Sequence, residues 1–214
     1  TSMSGRVYAD FDRDRNVGYY PYMPLYPVYL SIDFGYRMAA CIFFQTYQPE
    51  KSDKEDWHIN VIDEILHVPN LKISDLTDLI MRKNYRIHQV FGDPAGYQVQ
   101  SSVGVGESDL FYQATGLRVW SLRDRPSRSI ASGISHVRAF IQAADGTRRL
   151  HIHNKCAGLI EDMESYRYPD RNDGQPLKDV PLKDGYSEHG ADALRYGIIN
   201  RFPIRKYTYK VAKR

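Results

Sequence analysis

Tyr186-Ser-Glu-His-Gly-Ala-Asp-Ala-Leu-Arg-Tyr-Gly197 reads as the start of a helix. The run from Glu188 to Tyr196 holds good helix formers and no proline, and Ser187 is placed to act as its N-cap. His189 and Asp192 are three apart, so they share a face near the helix N-terminus. The helix dipole favours a charged carboxylate there. Gly190, Ala191 and Ala193 keep the surrounding side chains small, which lets a backbone, ligand or metal come close. The segment also fits an ordinary exposed acid on an amphipathic helix. What separates the two readings is that two other acids fall at the ends of predicted strands.

Working outward, Val28-Tyr-Leu-Ser-Ile-Asp-Phe-Gly35 reads as a strand ending in an acid and a glycine. Met38 to Thr46 is a second apolar run, close enough for a tight hairpin, and His58 to Val68 is a third strand. Ile73 to Asn84 has helical spacing, with Ile73, Leu76, Leu79 and Ile80 on one stripe and Ser74 as its cap. Ile87 to Phe91 is a fourth strand, followed by the loop Gly92-Asp93-Pro94-Ala95-Gly96. Glu107 to Thr115 reads as a helix, Leu117 to Trp120 as a strand, and Ser129 to Ala143 as a helix. Arg149 to Ile152 is a short strand, and Lys155 to Tyr166 another helix. Three adjacent strands followed by alternating helices and strands imply an α/β fold, a mixed central sheet flanked by helices on both faces. In such sheets the functional crevice lies at strand carboxyl ends, where Asp33 and Asp93 fall.

Residues 1–27 read as an irregular lead-in, a linker remnant rich in Tyr, Pro, Asp and Arg, and residues 28–214 as one domain with a basic tail. Pro169 to Gly185 reads as a long polar loop. The 214 residues, 42% hydrophobic and 26% charged, suit one globular domain with a full core. The formal net charge of +3 does not by itself announce a nucleic-acid partner. Two cysteines, Cys41 and Cys156, argue against a disulfide framework and for a reducing, cytoplasmic setting. There is no apolar run long enough to span a membrane and no signal peptide. His151 and His153 alternate on a strand, but no Cys/His set of zinc spacing accompanies them, so a structural role is expected for both.

Three carboxylates converging from two strand ends and a helix suit divalent-metal catalysis. Hard cations such as Mg2+ or Mn2+ take oxygen ligands and keep several waters. Two such ions, about 3.5–4 Å apart, activate a water and stabilise the leaving oxygen of a phosphodiester. Asp33 is the candidate to bridge both ions, with Asp93 and Asp192 each holding one side.

The same residues carry a resemblance. Gly5-Arg-Val-Tyr-Ala-Asp-Phe-Asp12, Leu30-Ser-Ile-Asp33-Phe-Gly35, Val61-Ile-Asp-Glu64, Phe91-Gly-Asp93, Ile134-Ser-His-Val-Arg138, Leu150-His-Ile-His153 and, most specifically, His189-Gly-Ala-Asp-Ala-Leu-Arg-Tyr-Gly197 span nearly the whole chain. Together they resemble the C-terminal nuclease domain of the large terminase subunit of tailed double-stranded-DNA bacteriophages. The resemblance implies a ribonuclease-H-like fold and a metal-dependent endonuclease that cuts concatemeric viral DNA during genome packaging. It implies that Asp33, Asp93 and Asp192 bind the metal, with His189 beside them in the catalytic set. Glu64 is a candidate to support them from behind. The partners it implies are double-stranded DNA, the ATPase motor domain of the same full-length protein, the small terminase subunit and the portal. The setting is the host bacterial cytoplasm. The motor's phosphate-binding loop is not matched, since Gly104-Val-Gly-Glu-Ser108 lacks the lysine, so the chain reads as the nuclease half alone.

Asp33-Phe-Gly35 without companion motifs does not make a protein kinase. An actin-like ATPase or sugar kinase needs two such subdomains, more than this length holds. A Holliday-junction resolvase-like nuclease shares the carboxylate logic, and a non-enzymatic DNA-binding clamp would use the acids only to cap loops. Arg123, Arg125, Arg128, Lys178 and Lys183 are the candidate phosphate contacts, along with the basic tail. No helix-turn-helix or zinc-finger pattern for base readout is present.

Overall fold

Val28–Asp33 (β2) and Ala40–Tyr47 (β3) pair antiparallel, with Asp33 opposite Ala40 and Val28 opposite Gln45. They form the centre of the fold in a computed structural model that describes residues 5–35, 38–50, 56–93, 106–122, 129–169 and 180–204. His58–Ile65 (β4) continues antiparallel from β3, with a register shift between Phe43 and Phe44. Ile87–Phe91 (β5) lies parallel on the other side of β2, and Val119–Trp120 (β6) parallel beyond it. Leu150–His153 (β7) pairs parallel with β4, and Val17–Gly18 (β1) closes that edge parallel to β7. The order across the sheet is β1-β7-β4-β3-β2-β5-β6.

Both faces of this sheet are covered, so its central strands are buried along nearly their whole length and mostly apolar rather than alternating. On β3, Ala40, Ile42 and Phe44 face one core, and Cys41 and Phe43 the other. The first core is completed by Ile130–Ile141 (α4), Ala157–Ser165 (α5) and Ser187–Arg201 (α6), through residues such as Ile134, Leu159 and Leu194. The second is completed by Ile73–Arg82 (α2) and Glu107–Thr115 (α3), through Leu76, Ile80 and Phe111. A mixed sheet with helices on both faces is the architecture expected from the order of apolar runs. Cys41 and Cys156 are both buried and free. Among the described residues, no helix is long and apolar enough to cross a membrane.

Three local expectations are corrected. The segment after residue 4 is not simply irregular. Val7, Tyr8 and Phe11 are buried in the first core, Asp12 caps the one-turn helix Arg13–Asn16 (α1), and β1 follows. Asn16 donates its side-chain amide to the Ile141 and Leu150 carbonyls. These apolar residues are too few for a period, and only tertiary packing reveals their role. Ser74 does not cap α2. Lys72 precedes the helix with no side-chain cap, and the Ser74 carbonyl accepts from the Thr77 hydroxyl. Ser187 is inside α6, and its hydroxyl donates to Asp184 instead of accepting from the helix. Asp184 in turn accepts from the Ser187 N–H, and Glu188 reaches back to the Gly185 and Tyr186 amides. An acid three residues ahead of Ser187 is a better acceptor for orphan amides than the serine.

Candidate active site

Because β2 and β5 are parallel neighbours, their carboxyl ends open at the same edge of the sheet, about 4.8 Å apart in strand spacing. Asp33 is the last residue of β2, and Asp93 comes two residues after β5. The third acid arrives from α6, which crosses this edge unusually close to the sheet. Gly197 sits where a Cβ would lie 2.8 Å from Phe44 Cε1 and 3.0 Å from Ser31 Cβ. One turn earlier, the Ser31 hydroxyl donates to the Ala193 carbonyl at 2.6 Å. The small residues of the opening stretch are therefore contacts, and they seat the helix that carries Asp192 against β2 and β3.

His189, on the same helix face, meets Asp33 directly, with Nδ1 3.1 Å from Oδ2. Gly35 permits this approach, since a Cβ there would lie 2.7 Å from His189 Cε1. Burial pushes the Asp33 carboxyl above its usual range, and Asp192 and Asp93 push it the same way, while the His189 contact opposes them. The hydrogen bond to Asp33 raises the His189 imidazole, against the effect of its burial. Tyr196 reports all three acids at once. Burial raises its phenol first, and Asp192, Asp33 and Asp93 each raise it further. The three carboxylates of the sequence reading thus share one electrostatic neighbourhood.

Each of two acids also carries a protein cation or donor. Arg195 donates Nε and Nη2 to Asp192 Oδ1, at 3.2 and 2.9 Å, and both side chains are at most a tenth exposed. Among the described residues, no three His, Cys, Asp or Glu side chains are grouped tightly enough to hold one metal ion. The donor chemistry nonetheless fits a hard divalent cation. All three groups offer carboxylate oxygens, and burial and the neighbouring carboxylates disfavour the charge of Asp33, which a divalent cation would restore.

Glu64 takes a different role from the one expected. Its two oxygens accept from the Gly158 and Leu159 amides at the start of α5, 2.9 and 2.8 Å away, so it caps that helix. Orphan amides at a helix N-terminus are strong partners for a carboxylate, and they bind Glu64 on the α5 side. Lys183 is exposed just ahead of α6. Arg123, Arg125, Arg128 and Lys178 lie outside the described residues, as does most of the loop from Pro169 to Gly185.

The sequence reading missed several contributors. Arg195 was legible in principle, three residues after Asp192 on one helix face. Glu107, at the start of α3, is close enough to Asp33 to be raised by it, after burial. Asp162 accepts the Gly190 amide at 3.0 Å and faces His67 Nε2 at 2.9 Å, and burial pushes it up to about 8. His67 in turn stacks on Tyr186, with ring centroids 3.9 Å apart. Asn200 ties the end of α6 to the turn before Asp93. Nothing local in the sequence marks the last three.

No protein-family model matches the chain, and no curated protein matches it. Solved structures do. The large terminase of a thermophilic bacteriophage, in complex with ATP-gamma-S, matches with a TM-score of 0.66 at 18% identity, covering 92% of this chain and 45% of that one. A second crystal form of that terminase gives 0.66 at 18%, over 91% and 44%. The large terminase nuclease of the thermophilic phage G20c, with bound magnesium, gives 0.52 at 14%, over 91% of this chain and 97% of that one. The chain thus spans less than half the length of the first terminase and nearly all of the G20c nuclease. With a mixed sheet, seven-stranded among the described residues, between two layers of helices, the chain has the ribonuclease-H-like fold of the large terminase nuclease.

Proposed function

We propose that this chain is a divalent-metal-dependent endonuclease that cleaves double-stranded viral DNA during genome packaging, the nuclease part of a phage large terminase. The observation that carries the reading is geometric: Asp33 ends β2, Asp93 follows its parallel neighbour β5, and α6, which carries Asp192, reaches Asp33 through His189 at 3.1 Å. The likeness to a nuclease solved with bound magnesium supports it. Asp33, Asp93 and Asp192 would hold Mg2+ or Mn2+, two ions on this reading. The metal would supply Lewis-acid activation of water and charge stabilisation for phosphodiester hydrolysis. His189 orients Asp33 through its 3.1 Å contact, and Arg195 holds Asp192 by one oxygen. Arg123, Arg125, Arg128, Lys178 and Lys183 contact DNA phosphates, so cleavage is largely independent of sequence and binding weakens steeply with salt. The ATPase motor domain, the small terminase subunit and the portal are its partners, in the host bacterial cytoplasm.

The test is supercoiled plasmid incubated with the protein in Mg2+, in Mn2+ and in chelator. Nicking is expected only with metal, and should be nearly abolished in Asp33→Asn and Asp93→Asn while both proteins stay folded. Full activity in Asp33→Asn removes the assignment. A marked preference for branched over linear duplex would move the reading to a resolvase.

A further inference from the structure

Asn200 is 3% exposed, in the last turn of α6, directly after the fully buried Ile198 and Ile199. Its side chain joins three elements. Nδ2 donates to the Gly92 carbonyl at 2.9 Å and to the Tyr196 carbonyl at 2.8 Å. Oδ1 accepts from the Leu122 amide at 2.7 Å, just past β6. The bond to Tyr196 stays within the helix, whereas the other two cross to the sheet edge. Gly92 is held from the opposite side as well. Its N–H donates to the Trp120 carbonyl at 3.1 Å, and a Cβ on it would lie 2.7 Å from Val119 Cγ1.

The Gly92 carbonyl belongs to the peptide unit that joins Gly92 to Asp93. Its orientation fixes the direction in which the Asp93 backbone leaves β5. A buried amide that satisfies this carbonyl from α6 locks the turn to the helix that carries Asp192. Three hydrogen bonds leave the amide little rotational freedom, so the constraint is directional.

We infer that Asn200 is a positioning residue for Asp93. It sets the Gly92–Asp93 peptide against α6, so that Asp93 and Asp192 hold a fixed separation when metal binds. This rests on the proposed reading of the acids as metal ligands. Partners that orient metal ligands are a recurrent part of such sites.

The probe is Mn2+ alone, titrated against the melting temperature of the 214-residue chain, with the Mn2+ dependence of plasmid nicking measured beside it. Asn200→Asp keeps the shape and the acceptor for Leu122 but turns a donor into an oxygen facing the Gly92 carbonyl. Asn200→Ser is the milder change, and it is used if the first variant does not fold. In either, the Mn2+ concentration giving half the full melting shift should rise about tenfold or more, and the nicking midpoint should rise with it. If Asp93→Asn leaves a residual, weakened Mn2+ response, adding the Asn200 change should move its midpoint no further. A lower melting temperature in chelator with the Mn2+ midpoint held within about twofold of wild type would mean a purely structural clasp, and would overturn the inference. Asp93→Asn separates the two failures. If it leaves the Mn2+ response intact, the metal-ligand reading falls and takes this inference with it. If it removes the response while both Asn200 variants match wild type, only the Asn200 inference falls.

Discussion

The two ends of the sheet treat buried titratable groups in opposite ways. At the far end, where β4 and β7 begin, His58 Nδ1 lies 3.1 Å from His151 Nε2, and the two rings stack with centroids 5.4 Å apart. Tyr20 packs on His151 and Tyr47 on His58. Burial pushes His151 down to about 4, with His58 adding to the effect, and burial lowers His58 as well against the pull of Asp56. Both imidazoles are therefore neutral near pH 7 and serve as polar filler between aromatic rings. At the acid end, burial also pushes Asp33 toward neutrality, but His189 stands against it, and Asp192 is paired with Arg195. The lesson is that burial alone drives a group toward neutrality. On the proposed reading, the acid end is set apart by a partner that resists this drive.

The largest expected effect breaks the comparison into activity on one side and none on the other. Asp192→Asn should lower metal-dependent nicking by at least about a hundredfold, whereas His151→Asn should leave it within about twofold. Equal losses from both would mean that the two ends are not functionally distinct. A smaller effect sharpens the contrast through metal. Millimolar Mn2+ should stabilise the wild-type chain by roughly 1 kcal/mol, read as a rise in melting temperature. His151→Asn should show the same rise and Asp33→Asn a smaller one. In chelator, Asp33→Asn should be as stable as wild type or more so, because it removes one of three repelling charges. An equal Mn2+ response in wild type and Asp33→Asn would place the ion elsewhere.

The smallest effect belongs to the histidine end. His151 has its folded pKa depressed to about 4 from an ordinary 6.5. The unfolded chain takes up that proton first as pH falls. The stability contributed by neutral His151 is therefore fully present above pH 6.5 and is lost progressively toward pH 4. The groups facing it are His58, Tyr20 and, through His58, Asp56 and Arg149. Urea melts between pH 7 and 4 should show a shallower decline for His151→Asn than for wild type. Parallel declines would assign the pH dependence to other groups.

Much of this arrangement was legible before any coordinates. Asp33 and Asp93 were visible because each follows an apolar run with a glycine one or two residues away, and strand ends are where open α/β sheets place their chemistry. His189 and Asp192 were visible because helical spacing fixes a shared face. What was hidden depended on which distant backbone group a side chain would meet. Asn200 follows two isoleucines, and nothing local says that it answers Gly92 and Leu122, far away in sequence. Glu64 looked like an acid on a third strand, but α5 offered it two unsatisfied amides. Val7, Tyr8 and Phe11 were too few to show a period, yet they fill the core beside α4 and α5.

The close seating of α6 also has a consequence for biogenesis. Chains are made from the N-terminus onward, and a domain folds as a unit once its parts are available. The sheet, with Asp33 and Asp93, is synthesised before the residues from Ser187 to Arg201 leave the ribosome. Until Gly197 settles against Phe44 and Ser31, a nascent chain has two of its acids and lacks the third. The acid set is therefore completed late, by docking of a helix whose fit tolerates no extra methyl group at its tightest point. A chain truncated before that helix lacks Asp192 and also the apolar face, including Leu194 and Ile198, that α6 gives the first core.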